Sequence, residues 1–164
     1  MSEIPAKTRV YVDETGMDQD DLYAYGWSAK GERCHGRKPG GSKRRVSIIA
    51  GLSGGKLVAP FYFEGYTDSE VFNAWLREVL LPEIGAGKTI IMDNARFHKS
   101  AETRRIIEDA GCRLLYLSPY SPDFNPIEHR WFPIKNTARK IMQTITCVTS
   151  AIHSALTHPY QTSR

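Results

Sequence analysis

Cysteine is scarce and unpatterned in this 164-residue chain: Cys34, Cys112 and Cys147 lie far apart, are odd in number and form no CxxC pair. That argues against a disulfide framework or a thiolate zinc site as the basis of the fold. Long apolar runs are missing too. No stretch approaches the roughly 18 residues needed to span a bilayer, and the opening MSEIPAKTRV lacks the apolar core of a secretory signal. The expected location is the cytoplasm. Neither sign of charge dominates, since the formal net charge is +4, so a polyanionic partner is hinted at only by where the charges fall. What is present is an ordinary globular composition, 41% hydrophobic and 24% charged, long enough for one domain with a buried core and a short tail.

The apolar pattern predicts the order β, β, β, α, β, α, β, α. RVYVDET alternates as a strand that ends near Asp13. Residues 15–42, rich in glycine and charge, read as a long excursion between strands. RRVSIIAGLS and KLVAPFYFEG then form two strands around an SGG turn. The next helix has Thr67 and Glu70 placed as a capping box, Tyr66 and Val71 as a hydrophobic staple, and an apolar face of Phe72, Trp75, Leu76, Val79 and Leu80; Pro82 is its expected stop. KTIIMDNA reads as a strand buried on both faces and ended by Asp93. Ser100 caps a helix through Ala110, with Gly111 as its stop, and CRLLYLS follows as another buried strand.

In SPYSPDFNPIEHRW, residues 118–131, three prolines stiffen the approach to the last helix. Asn125 is its expected N-cap, Pro126 its first residue and Glu128 its third. Ile127, Trp131, Ile134, Ala138 and Ile141 form the apolar stripe, and Glu128, Phe132, Lys135 and Arg139 the adjoining face. Pro133, which removes a backbone hydrogen bond, is expected to bend this helix. Trp75 and Trp131 are read as packing residues. The main domain is expected over residues 1–142, and residues 143–164 form a helical tail with a frayed end.

Asp13 and Asp93 thus stand at strand ends and Glu128 in the first turn of a helix, places that surround the active edge of an α/β sheet. Stiffening before Glu128 would aim one carboxylate at low entropic cost. Clustered carboxylates repel and invite hard cations, and magnesium is held by a few such groups while keeping water and phosphate in its other positions. Lys30, Arg33, Arg37, Lys38, Lys43, Arg44 and Arg45 face a single acid, Glu32, within the 15–42 excursion and its exit, and are candidate DNA contacts. Lys135 and Arg139 lie about 10 and 16 Å along the helix from Glu128, a range suited to phosphates flanking a reacting one. Asn94, His98 and Asn125 are candidate supporting residues, with His98 placed either to orient a phosphate or to cap the next helix.

YVDET, IIMDNARFHKS and LYLSPYSPDFNPIEHRW resemble the three motifs of the DDE transposases of the mariner-like superfamily, in its bacterial insertion-sequence branch, and the 34 residues between Asp93 and Glu128 match that branch's spacing. The resemblance implies a ribonuclease-H-like α/β fold with a mixed sheet flanked by helices. It also implies Asp13, Asp93 and Glu128 as catalytic ligands of two Mg2+ or Mn2+ ions. The implied activity is DNA strand cleavage and 3′-hydroxyl strand transfer at insertion-sequence ends, with DNA carrying a TA target as substrate, a homodimer on DNA, and a nucleoid-associated bacterial location. Glu14 is the rival to Asp13, and the family pattern favours Asp13. A separate helix-turn-helix protein is an expected partner, because little sequence precedes Thr8. A structure-selective nuclease on the same core, or an inactive DNA-binding or assembly fragment, are the alternatives.

Overall fold

Five strands form one sheet: β1 (Arg9–Asp18), β2 (Arg45–Ser53), β3 (Lys56–Glu64), β4 (Thr89–Met92) and β5 (Arg113–Tyr116), in the order β3-β2-β1-β4-β5. The computed structural model describes residues 4–18, 29–32, 44–118, 125–145 and 147–157. The first three strands are an antiparallel meander, and β1, β4 and β5 run parallel. The β2–β3 turn is Gly54-Gly55, with φ of 55° and 81°, and Ser53 pairs with Lys56 across it. A two-residue loop with both central residues at positive φ matches the twist of the flanking strands and favours glycine at both places.

Helices cover both faces. On one, α1 (Ser69–Trp75), the turn that follows it and α3 (Ala101–Asp109) bury Phe72, Trp75, Leu76, Leu80 and Ile107 against Val10, Val12, Ile49 and Ile90. On the other, α4 (Glu128–Met142) and α5 (Val148–Thr157) bury Trp131, Ile134, Ala138 and Ile152 against Met17, Ile48, Ala50 and Leu52. β4 is wholly buried, as its unbroken apolar run predicts for a strand with helices on both sides. The expected fold class is thus the observed one, a mixed sheet between helical layers.

Several local expectations are corrected. β1 does not stop near Asp13 but continues to Asp18, because β2 pairs with it all the way from Val10–Ser53 to Asp18–Arg45. The first four residues of the expected excursion therefore belong to a strand. The cap of α1 is Asp68, whose carboxylate accepts from the Val71 amide at 2.9 Å, and not Thr67, whose Oγ1 is buried without a hydrogen-bond partner. Tyr66 is 76% exposed and staples nothing. Pro82 does not end the helix either. A π-helical turn over Leu76–Leu80 carries α1 into α2 (Leu81–Ile84), where Pro82 occupies a first-turn position that needs no amide donor. Gly85, at φ 69°, ends it.

β5 is the sheet edge, exposed at Arg113 and half-buried beyond it, where a buried strand was expected. The side chain of Asn125 caps nothing: α4 begins at Glu128 after a turn in which the Glu128 amide donates to the Asn125 carbonyl at 3.1 Å. Pro133 lies inside α4. Ser100 does cap α3, accepting from the Thr103 amide at 2.9 Å, and Gly111 follows the helix at φ 70°. Asp68→Ala is expected to cost about 1 kcal/mol in urea denaturation, the usual worth of an N-cap. Thr67→Val, which removes a buried hydroxyl that satisfies nothing, is expected to cost no stability.

Candidate active site

Register brings the first two acids together. Arg9, Val10 and Tyr11 of β1 pair with Thr89, Ile90 and Ile91 of β4, so the same offset sets Asp13 level with Asp93 just past the carboxyl end of β4. Adjacent strands lie about 4.8 Å apart, and the carboxyl ends of parallel strands are where α/β sheets place their ligands. Glu128, the first residue of α4, is exposed, and its charge reaches Asp13. Register thus sets Asp13 and Asp93 at one level on neighbouring strands, and Glu128 lies near enough for its charge to act on Asp13.

Their environments differ. Asp13 is pushed up to about 7, chiefly by burial and further by the neighbouring charges of Glu14 and Glu128, while a hydrogen bond from Trp131 opposes the shift. That bond runs from the indole Nε1 to Asp13 Oδ2 at 2.8 Å. Asp93 is held below the usual carboxylate range, first by its hydrogen bond from His98 and also by the Ala95 amide. Both bonds go to Oδ1, at 2.7 and 2.9 Å. His98 is fully buried. Burial alone would lower its pKa, but bonds to Asp93 and Glu14 outweigh it and raise the imidazole to about 9.

Trp131 was read as packing alone. It is 6% exposed and does pack, yet it also fixes an oxygen of Asp13. Its position three residues after Glu128, on the stripe beside the acid, was the available signal. Among the supporting residues, Asn94 donates from Nδ2 to the Leu117 carbonyl, tying the segment after β4 to the end of β5. Asn125 is 3% exposed and its Oδ1 has no hydrogen-bond partner. Of the basic residues, Lys30 and Arg44 are exposed, while Arg45 lies beneath Tyr66, 5.1 Å from the ring centre, and 3.7 Å from Asp18. Lys135 and Arg139 are half-buried on α4, and Arg139 donates to Asn136 at 3.1 Å. Arg33, Arg37, Lys38 and Lys43 lie outside the described residues, as does the proline-rich stretch 119–124.

Among the described residues no three His, Cys, Asp or Glu side chains are already gathered tightly enough to hold a metal ion. The donor set nevertheless suits a hard divalent cation. Asp13 carries unrelieved repulsion from two other carboxylates, all the available donors are oxygens, and the Asp93 side chain is 51% exposed. Magnesium needs only a few such ligands beside water and phosphate.

The raised Asp13 has a measurable consequence without metal. The folded chain keeps a proton there between about pH 4 and 7 that the unfolded chain releases, so stability falls as pH rises through that window. Asp13→Asn, which keeps an acceptor for Trp131, is expected to raise the melting temperature at pH 8 and to leave it unchanged at pH 4, as followed by thermal denaturation in chelator.

No curated protein sequence matches this chain. Solved structures do. A chain of the simian T-cell lymphotropic virus intasome, in complex with PP2A regulatory subunit B56 gamma, superimposes with a TM-score of 0.64 at 13% identity over 92% of this chain and 47% of its own. A chain of the Mos1 strand transfer complex gives 0.62 at 14% identity, over 92% and 52%. The HTLV-2 integrase catalytic core domain, in complex with magnesium, gives 0.57 at 16% identity, over 92% and 82%. The chain therefore spans about half the length of the intasome and Mos1 chains and most of the isolated integrase core. At these identities the likeness establishes the fold, the ribonuclease-H-like core shared by integrases and transposases. A family model described as DDE superfamily endonuclease matches residues 8–150, and the chain belongs to that family.

Proposed function

We propose that this chain is the catalytic domain of a DNA transposase of the bacterial insertion-sequence branch, cleaving DNA strands at element ends and joining the freed 3′-hydroxyl to target DNA. The observations that carry this reading are the register that sets Asp13 level with Asp93 at the carboxyl end of β4 and the charge of Glu128 acting on Asp13, in a chain that belongs to the DDE endonucleases. These three residues would hold Mg2+ or Mn2+, two ions by resemblance. Such ions, when bound, neutralise the carboxylates and stabilise charge on the attacking and leaving oxygens of a phosphodiester.

The protein's own contribution is aim. Trp131 fixes one oxygen of Asp13, His98 and the Ala95 amide fix one oxygen of Asp93, and Glu128 enters from a helix packed by Ile127 and Trp131. The exposure of Asp93 and Glu128 leaves the edge open to a DNA backbone. In cleavage, a water oxygen bonds to phosphorus as the bond to the 3′ oxygen breaks; that oxygen leaves as the 3′-hydroxyl, and the water's surplus proton goes to solvent. In transfer, the 3′-hydroxyl takes the place of water, so the same geometry serves both steps.

The partners in this reading are element ends and a TA-containing target, a second copy of the chain on DNA, and a helix-turn-helix protein that supplies end recognition. Lys30, Arg33, Arg37, Lys38, Lys43, Arg44, Arg45, Lys135 and Arg139 would contact phosphates, which gives salt-sensitive and largely sequence-independent binding. The setting is the bacterial cytoplasm, at the nucleoid. Among the described residues no helix is long and apolar enough to cross a membrane.

The purified chain is expected to nick supercoiled plasmid in Mg2+ or Mn2+ and not in chelator. Asp13→Asn, Asp93→Asn and Glu128→Gln are each expected to lower that rate at least about a hundredfold, the scale of losing one group that stabilises the transition state. Nicking that is unchanged in all three variants would contradict the reading. Trp131→Phe removes the hydrogen bond to Asp13 together with part of the indole's packing, keeps an aromatic ring at the site, and is expected to raise the Mn2+ concentration for half-maximal nicking about tenfold.

A further inference from the structure

Glu14 stands next to Asp13 in the chain but serves the opposite face of the sheet. Strand alternation sends Asp13 toward Trp131 of α4, while Glu14 turns toward the helical layer of α1 and α3 and meets His98. Its side chain is 22% exposed, and its Oε2 is buried. A surface acid or a turn former would show neither feature.

His98 lies in a 3-10 turn, Arg96–Lys99, directly after β4. Its ring sits against Phe72 and Phe97, at centroid distances of 4.4 and 4.3 Å. The main chain of the turn is pinned as well: the His98 amide donates to the Ala95 carbonyl at 3.1 Å, and the His98 carbonyl accepts from the Tyr116 hydroxyl at 2.8 Å. One ring nitrogen, Nδ1, is 2.7 Å from Asp93 Oδ1; the other, Nε2, is 3.3 Å from Glu14 Oε2. Neither Nε2 nor that oxygen has a hydrogen-bond partner, so each has the other only at ion-pair distance.

A buried imidazole has two ring orientations related by a half-turn, and only one presents Nδ1 to Asp93. The aromatic walls are apolar and do not choose between them. Asp93 and Glu14 choose together, because the flipped ring would turn carbon toward both carboxylates. We propose that Glu14 is a positioning residue: it locks the ring of His98, and His98 in turn holds Asp93 Oδ1 so that the second carboxylate oxygen stays aimed at the open edge. This rests on the proposed function, in which Asp93 is a metal ligand, and it gives the DE pair of the first motif two separate tasks. Asp13 binds directly, and Glu14 acts at a distance through the turn that follows β4. Partners that orient a ligand without touching the metal are known to change affinity by about 10- to 100-fold.

The test is Mn2+ binding to the full chain, followed by the electron paramagnetic resonance of free Mn2+, together with the imidazole 15N signals of His98. Glu14→Ala is expected to weaken Mn2+ binding about tenfold or more and to shift the His98 ring signals. Glu14→Gln, which keeps an oxygen facing Nε2, is expected to stay within about threefold of the unsubstituted chain. If Glu14 acts through His98, Glu14→Ala adds nothing to His98→Gln, and the double variant binds as His98→Gln does. Glu14→Met, similar in volume and without an acceptor, takes the place of Glu14→Ala if the smaller side chain unfolds the protein. Full Mn2+ affinity in folded Glu14→Ala or Glu14→Met would overturn the inference and leave the proposed function standing. Equal losses in Glu14→Ala and Glu14→Gln, with His98 signals unmoved, would make Glu14 a direct ligand and also overturn it. Absence of Mn2+ binding by the unsubstituted chain would sink the proposed function itself, and this inference with it.

Discussion

Three rungs of parallel pairing, Arg9 with Thr89 through Tyr11 with Ile91, set the geometry on which the site depends. Side chains alternate with a period of two, so a slip of one residue would turn Asp13 away from Trp131 and Glu14 away from His98. Burial resists that slip. Val10 and Val12 are wholly buried with Ile90 and Met92 on the face covered by α1 and α3. Exchanging the two faces of β1 would take Val10 and Val12 out of that layer. The hydrophobic pattern that holds the sheet together is therefore also what brings Asp13 and Asp93 to one level.

On this frame two aspartates receive opposite treatment. Asp13 is half-buried beside two other acids, and desolvation with their charge pushes it up to about 7. Asp93 is half exposed, bonded by a raised histidine and a backbone amide, and is held low. A cation arriving at the edge would meet one carboxylate already charged and aimed, and another that loses its proton more readily once positive charge is near. The cost of bringing acids together is thus offset in two ways: by a fixed cationic imidazole beside Asp93, and by a retained proton on Asp13.

Much of this was legible from residue order. The order of elements, the buried run at β4, the Ser100 cap and the faces of α1 and α4 follow from periodicity and capping chemistry, which are local. What was misread depends on partners distant in sequence. The end of β1 is decided by β2, whose pairing continues to Arg45, and the exposure of β5 by its place at the edge. Thr67 and Asp68 are both competent caps, and only the path of the incoming chain chooses Asp68. Of the proposed site, the three acids stand in the sequence motifs themselves. Trp131 is signalled only by its place beside Glu128 on α4, and neither its acceptor, 118 residues away, nor the His98–Glu14 contact follows from any spacing rule, since none reaches across a sheet.

The central claim is that Asp13, Asp93 and Glu128 jointly bind divalent cation. Its most direct test is anomalous diffraction at the manganese edge from crystals of the full chain grown with Mn2+. The account expects manganese bound by oxygens of these three side chains beside the carboxyl end of β4. Well-ordered carboxylates with no ion between them, or manganese held only elsewhere on the molecule, would contradict it.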